Sequence, residues 1–271
     1  MGTEIHHTAI VDPNAVLGDG TTVGPYCVIG PRVVLGRNNK LSSHVVIDGH
    51  STIGDENQFF PFSSIGSVPQ DLKYRGEDST VVIGNRNSIR EYVTIQPGTA
   101  GGGMSTTVGD GNLLMVSSHV AHDSHVGNGN VVANGVALAG HVTLGNGAIL
   151  GGLCGIHQFV RVGDNAMIGA GAMVDRDIPP ATIAQGDRAR LVGINVIGLG
   201  RKGCTEESIA RLKKVFREIC LSSIPLEQRL MAAVAIAEGD PLSVQFITFV
   251  RQSERGVAPS RRSSEGEVSN A

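Results

Sequence analysis

Every sixth residue from Val11 is apolar: Leu17, Val23, Ile29, Leu35, Leu41, Ile47, Ile53, Phe59 and Ile65 follow without a break. Ile83, Ile89 and Ile95 form a second run. A third runs from Val108 through Leu114, Val120, Val126, Val132, Leu138, Leu144, Leu150, Ile156, Val162 and Ile168 to Val174. A period of six is neither the 3.6 of an amphipathic helix nor the 2 of an alternating strand. It predicts a parallel β-helix in which each hexad is one short strand and a corner. Three hexads close a triangular coil of about 18 residues, with the apolar residue inside and coils stacked roughly 4.8 Å apart. The 37 glycines suit corners that need positive φ.

Two breaks interrupt the register. Between Ile65 and Ile83 lies a polar stretch, Ser67 to Asp78, that contains Gln70-Asp71-Leu72-Lys73-Tyr74. Between Ile95 and Val108 the segment Pro97 to Gly103 leaves the coil, as either a flexible bulge or a lid. Loops ejected from a solenoid often carry function. After Asp177-Ile178-Pro179-Pro180 the pattern becomes helical. Thr205 is an N-cap candidate before Glu206 and Glu207, with Ile209, Leu212, Phe216 and Ile219 at helical steps. Further helices are expected over 226–238 and 242–251. The expected organisation is a β-helix over 1–187, a helical domain over 188–256 that caps the open strand edges, and a disordered tail over 257–271.

Composition narrows the class. There is no apolar run long enough for a membrane span and no signal-peptide pattern at the start, which fits a soluble, intracellular protein. Four cysteines without paired spacing read as packed free thiols. A net charge of -3 and the absence of Trp argue against nucleic acid as the main partner.

The candidate chemistry sits in one window. His119, His122, His125, His141 and His157 are five of the nine histidines. With the coil as a ruler, His122, Gly140 and Gln158 stack in one column, Asp123 lies below His141, and Ala121 and Ala139 lie below His157. His6, His7, His44 and His50 read as solvated corner residues. A solid prism has no interior cavity, so a surface site needs a second wall, and the economical source is a second copy around a threefold axis. A neutral imidazole in such a cleft suits general-base work, Asp123 can fix its tautomer, and Gly140 can present a bare N–H to an oxyanion.

These segments, with Asn112-Leu113-Leu114-Met115, His119-Val120-Ala121-His122-Asp123, Leu138-Ala139-Gly140-His141, Ile156-His157-Gln158-Phe159, Ile183-Ala184-Gln185-Gly186 and Gly193-Ile194-Asn195, resemble the UDP-N-acetylglucosamine acyltransferases of lipid A biosynthesis over roughly residues 5–256. The resemblance implies a left-handed β-helix and a cytoplasmic homotrimer with neither metal nor cofactor. It implies transfer of an (R)-3-hydroxyacyl group from acyl carrier protein to the sugar 3-hydroxyl of UDP-N-acetylglucosamine. By the same resemblance His122 is the base, Asp123 its support and Gly140 the oxyanion donor. Asp71, Lys73, His119, His141, His157 and Gln158 line substrate, Asn195 and Arg201 meet the nucleotide, and Ala170 sets acyl-chain length. The acidic carrier is expected on a basic surface of Arg201, Lys202, Arg211, Lys213, Lys214 and Arg217.

Gln96-Pro97, Ile197 and Lys202 depart from the family pattern, which keeps a 3-amino sugar in play as the acceptor. Two other classes compete: a trimeric zinc carbonic anhydrase with interface histidines, and a non-catalytic solenoid. Neither accounts for both the ejected loop and the histidine column.

Overall fold

The computed structural model describes residues 2–261. The chain winds as a left-handed parallel β-helix whose three faces carry eleven, nine and eight strands. Face A runs from Glu4–Ile5 to Arg190–Ile194, face B from Ile10–Val11 to Met173–Val174, and face C from Val16–Leu17 to Arg161–Val162. Most strands are two residues long, with the second residue buried inside the prism. These inward residues are the hexad positions of the sequence. Ile29, Ile47, Phe59, Ile65, Leu114 and Leu138 are all fully enclosed.

The strand register measures both insertions. On face C, Thr80 pairs with His50 thirty residues back rather than eighteen, so twelve residues leave that coil. Ser105 pairs with Thr80 twenty-five residues back, so seven leave the next. Both excursions emerge at corner BC, the turn from face B to face C.

The corners are chemically distinct. At corner CA a buried asparagine column runs through Asn39, Asn57, Asn87, Asn112 and Asn130. The side-chain oxygens of Asn39, Asn57, Asn87 and Asn112 each accept from the next asparagine's backbone and amide, as Asn87 Oδ1 does from Asn112 N (2.8 Å) and Nδ2 (3.0 Å), and Asn130 Oδ1 ends the column on Ala148 N. Buried polar groups persist only when bonded in this way. Asn87→Ala strips an acceptor from Asn112 and a donor from the Gly109 carbonyl. It is expected to destabilise the protein by about 2–4 kcal/mol, read as a lower denaturant midpoint.

At corner AB, Tyr26, His44, Phe62 and Tyr92 stack in a ladder with centroids 4.9 to 5.1 Å apart. All four have left-handed φ, so corners expected to favour glycine are here held by large side chains. Tyr26, Phe62 and Tyr92 are exposed. His44 is an exposed corner residue, as expected, and it is also a rung between the Tyr26 and Phe62 rings.

Past residue 187 the chain stays on face A, where Arg190–Ile194 pairs antiparallel with Thr182–Gln185. Among the described residues four helices follow: α1 (Val196–Arg201), α2 (Glu206–Leu221), α3 (Leu226–Ala237) and α4 (Pro241–Arg251). Thr205 Oγ1 caps α2 by accepting from Ser208 N, as expected. The short α1, capped by Asn195, has no counterpart in the sequence reading.

The tail expectation is corrected for its first residues. Val257 bridges to Asp177 and Ser260 to Leu191, so this strap is part of the fold; the rest of the tail lies outside the described residues. The four cysteines are free, and burial pushes the Cys154 thiol up to about 11 and that of Cys220 up to about 12, which keeps these two thiols protonated. Among the described residues no helix is long and apolar enough to cross a membrane.

Candidate active site

A cleft of about 900 Å³ runs along the outside of face B. His119, His122, Gly140, His157, Gln70 and Gln96 line one part of it. Ala137, Ala139 and Met173 form an apolar floor, with the core residues Leu138, Ile156 and Val174 lying beneath it, and Asp175, Arg176, Asp187, Arg188 and Arg255 close the far end.

Asp123 and His122 form the centre. Neighbours on a strand point to opposite faces, but Asp123 sits at corner BC with φ 58°, and this turn brings both side chains together. His122 Nδ1 lies 2.8 Å from Asp123 Oδ2. A carboxylate only accepts, so Nδ1 carries a proton, and in the neutral ring this leaves Nε2 as the acceptor.

Asp123 is 2% exposed and held from three sides. Thr99 donates its N–H to Oδ1 at 2.9 Å and its hydroxyl to Oδ2 at 2.6 Å, while Asp123 N donates to Thr106 Oγ1. The glycine-rich insertion is therefore not a loose bulge: its first residues are pinned to Asp123 and seal the carboxylate. A Cβ on Gly102 would lie 2.0 Å from Asp123 Cγ, so only glycine lets the loop backbone pack there.

Gly140 stacks over His122 as the column predicts. A Cβ on Gly140 would meet His122 Cε1 at 2.5 Å and Nε2 at 2.6 Å. Among the described residues its N–H has no acceptor. A basic nitrogen and a free backbone donor thus lie side by side, the combination that an alcohol attacking an acyl carbonyl requires.

His141 crosses the edge of His122 at a centroid distance of 5.1 Å and stacks on Phe159 at 4.3 Å. Burial lowers its pKa, with Asp123 and Asp71 acting upward and His122 and Lys73 downward. The charges of Asp71 and Lys73 reaching His141 place the first insertion at this corner. Gln96 pins that loop by accepting from Gln70 N at 3.1 Å. Asp71 caps a turn by accepting from Lys73 N. Leu72 at the loop's tip is 97% exposed.

His119 accepts or donates to Thr94 Oγ1 at 2.6 Å. Its pKa is lowered by desolvation first and by the charge of His122 second. A histidine with a depressed folded pKa stabilises fully above its unfolded value of about 6.5 and loses that contribution as pH falls toward the folded value. The melting temperature should therefore fall as pH drops from about 7.5 to about 5.5, and His119→Gln should flatten that slope. An unchanged slope in the variant would assign the acid sensitivity elsewhere.

His122, Asp123 and His141 bring one potential metal ligand atom each within 4.8 Å of one another. Asp123 Oδ2 is already bonded to Thr99 and His122, and His122 Nδ1 carries a proton toward it. This is the arrangement of a hydrogen-bonded dyad. It does not favour the zinc alternative.

A profile of UDP-N-acetylglucosamine O-acyltransferase domain 2 matches residues 177–258, and bacterial transferase hexapeptide profiles match 2–37, 14–49 and 141–176. An acyl-[acyl-carrier-protein]–UDP-N-acetylglucosamine O-acyltransferase from Myxococcus xanthus is 48% identical over 94% of this chain and 98% of its own. The chain belongs to this acyltransferase family. A second relative, from Sulfurovum, is 44% identical over 96% of this chain and 99% of its own. Among solved structures, the Acinetobacter baumannii enzyme superimposes with a TM-score of 0.92 at 42% identity, covering 94% and 99% of the two chains. The Arabidopsis UDP-N-acetylglucosamine acyltransferase does so with 0.82 at 33%, covering 94% and 99%. The protein is an acyltransferase of the hexapeptide-repeat type.

In this acyltransferase the fold brings His119, His122, Asp123, Gly140, His141 and His157 to face B and corner BC. Gln158 is exposed on the same corner. Asn195 and Arg201 sit elsewhere, on corner CA. Asn195 Oδ1 caps α1, its Nδ2 donates to the Asn165 carbonyl, and Lys202 lies over Gly147. Ala170 is exposed on corner AB and does not line the cleft. Thr99, Gln70 and Arg255 were missed. Thr99 and Gln70 lie in the ejected segments and show no repeat, while Arg255 carries only a following glycine as a hint.

Proposed function

We propose that the enzyme transfers an (R)-3-hydroxyacyl group from acyl carrier protein to the 3-hydroxyl of UDP-N-acetylglucosamine. The observation that carries this reading is the His122–Asp123 dyad, whose unprotonated Nε2 lies beside the free N–H of Gly140. His122 takes the proton from the attacking hydroxyl as that oxygen bonds to the thioester carbon. Asp123 stabilises the imidazolium, and Gly140 N–H holds the oxyanion until the carrier thiolate leaves and recovers a proton. Asp71, Lys73, His119, His141, His157 and Gln158 orient the substrates around it. In this reading the enzyme works in the cytoplasm.

The enzyme acts as a homotrimer in this reading, with the exposed aromatic ladder of corner AB at the threefold axis. Three triangular corners fill only part of the circle around an axis. A wedge is left between face B of one subunit and face A of the next. The neighbour's face A then offers Leu113, Val131, Ile149 and Met167 as an apolar wall for the acyl chain, and Ala170 lies at the narrow end, where it limits chain length. The outer lips of the wedge are corner BC of one subunit and corner CA of the other, so Asn195 and Arg201 reach the nucleotide from across the interface. The carrier docks on exposed Lys213, Lys214 and Arg217. Arg211 is withdrawn from that surface by Glu207 and Glu238.

Incubation with acyl carrier protein thioesters and either UDP-N-acetylglucosamine or its 3-amino analogue tests the reaction. O-acylated product from the hydroxy sugar supports it, and product from the amine alone rejects it. Co-expression tests the shared site: His122→Ala and Arg201→Ala protomers, each inactive alone, should together recover about a quarter of wild-type activity. No recovery would place both residues in one subunit's site.

A further inference from the structure

Arg255 reaches the cleft from the far end of the chain. The strap after α4 is tied to corner BC by Asp177, whose N–H donates to the Gly256 carbonyl at 3.0 Å and whose Oδ2 accepts from Ser253 Oγ at 2.8 Å. Ala258 N donates to the Asp177 carbonyl at 2.9 Å. Arg255 turns inward from this strap. Its Nε–H donates to the Asp175 carbonyl at 2.7 Å, and its Nη2 lies 2.9 Å from His157 Nδ1.

A guanidinium has only donors. At this contact Nδ1 of His157 must offer its lone pair, and the ring proton belongs on Nε2. The Gln158 carbonyl lies 3.1 Å from the same Nδ1 and can only accept. It favours the opposite tautomer, with the proton on Nδ1. Two neighbours therefore compete over one ring, and the charged one makes the shorter contact. Both His157 and Arg255 line the cleft, and among the described residues Nε2 has no protein partner.

We propose that Arg255 is a positioning residue that holds His157 in the Nε2–H tautomer, so that the ring donates a hydrogen bond to an acceptor oxygen of bound substrate. That oxygen is a carbonyl or hydroxyl of the acyl donor or the sugar, an identity that rests on the acyl-transfer reading. The tautomer does not depend on it. On this view the helical domain does more than cap the solenoid: its last segment completes the site.

Long-range proton–nitrogen correlation on 15N-histidine-labelled full-length protein reads the tautomer directly, with His157→Gln identifying the signal. The Nε2–H pattern is expected in the wild type and in Arg255→Lys, which keeps a donor. Arg255→Met should shift the signal toward Nδ1–H. The same variant should lower kcat/KM roughly tenfold, yet cost less than about twofold when added to His157→Gln. An Nδ1–H pattern in the wild type, or fully additive losses in the double variant, overturns the proposal. If Arg255→Met loosens the strap and unfolds, the wild-type and Arg255→Lys spectra still decide. The spectra need no substrate, so their failure is distinct from failure of the proposed reaction.

Discussion

His122→Ala is expected to lower kcat by at least roughly 10²–10⁴-fold, the range for losing a positioned general base. The His122 ring is held from outside by Asp123 and His141 and contributes nothing to the prism core, so the coils should survive its removal. Steady-state kinetics with unchanged circular dichroism and oligomeric mass check this, and near-normal turnover in a folded variant would remove His122 from the mechanism. Asp123→Asn adds a discriminating arm. Asparagine can present an N–H to His122 and stabilises an imidazolium less, so a large kcat loss with little change in KM is expected.

Gly140→Val should be nearly as damaging for a different reason. A Cβ there comes within 2.6 Å of His122 Nε2, and the branched side chain must push the ring out of line with the Gly140 N–H. A loss of at least about 10²-fold is expected, comparable to losing an oxyanion donor. The mechanism is steric, so Gly140→Ala should fall between wild type and valine. The variant should keep its melting temperature within a few degrees, because the change lies on the outside of corner BC. Valine with wild-type kcat would mean that neither the ring position nor this backbone donor matters to the reaction.

Much of this molecule was legible along the chain because a solenoid repeats one local rule. Val11 to Ile65 and Val108 to Val174 announce the prism through period alone, since each coil must bury the same side of each strand. The same rule turned sequence separation into distance, which is why Gly140 could be placed over His122 eighteen residues apart. Where the chain leaves the repeat, that conversion fails. The spacing of Pro97 to Gly103 showed only that a segment was ejected. That Thr99 folds back to seal Asp123 depends on long-range hydrogen bonds that no period encodes.

The sequence by itself determined the coils, the column of His122 with Gly140, and the acyltransferase motifs, because these follow from local period and short-range residue identity. Only the tertiary structure decided which corner each insertion leaves, that Asn195 and Arg201 lie on a different corner from His122, and that Arg255 returns to pair with His157. Those relations depend on how non-repeating segments close in space, and closure is set by packing and hydrogen bonding between residues up to 98 positions apart.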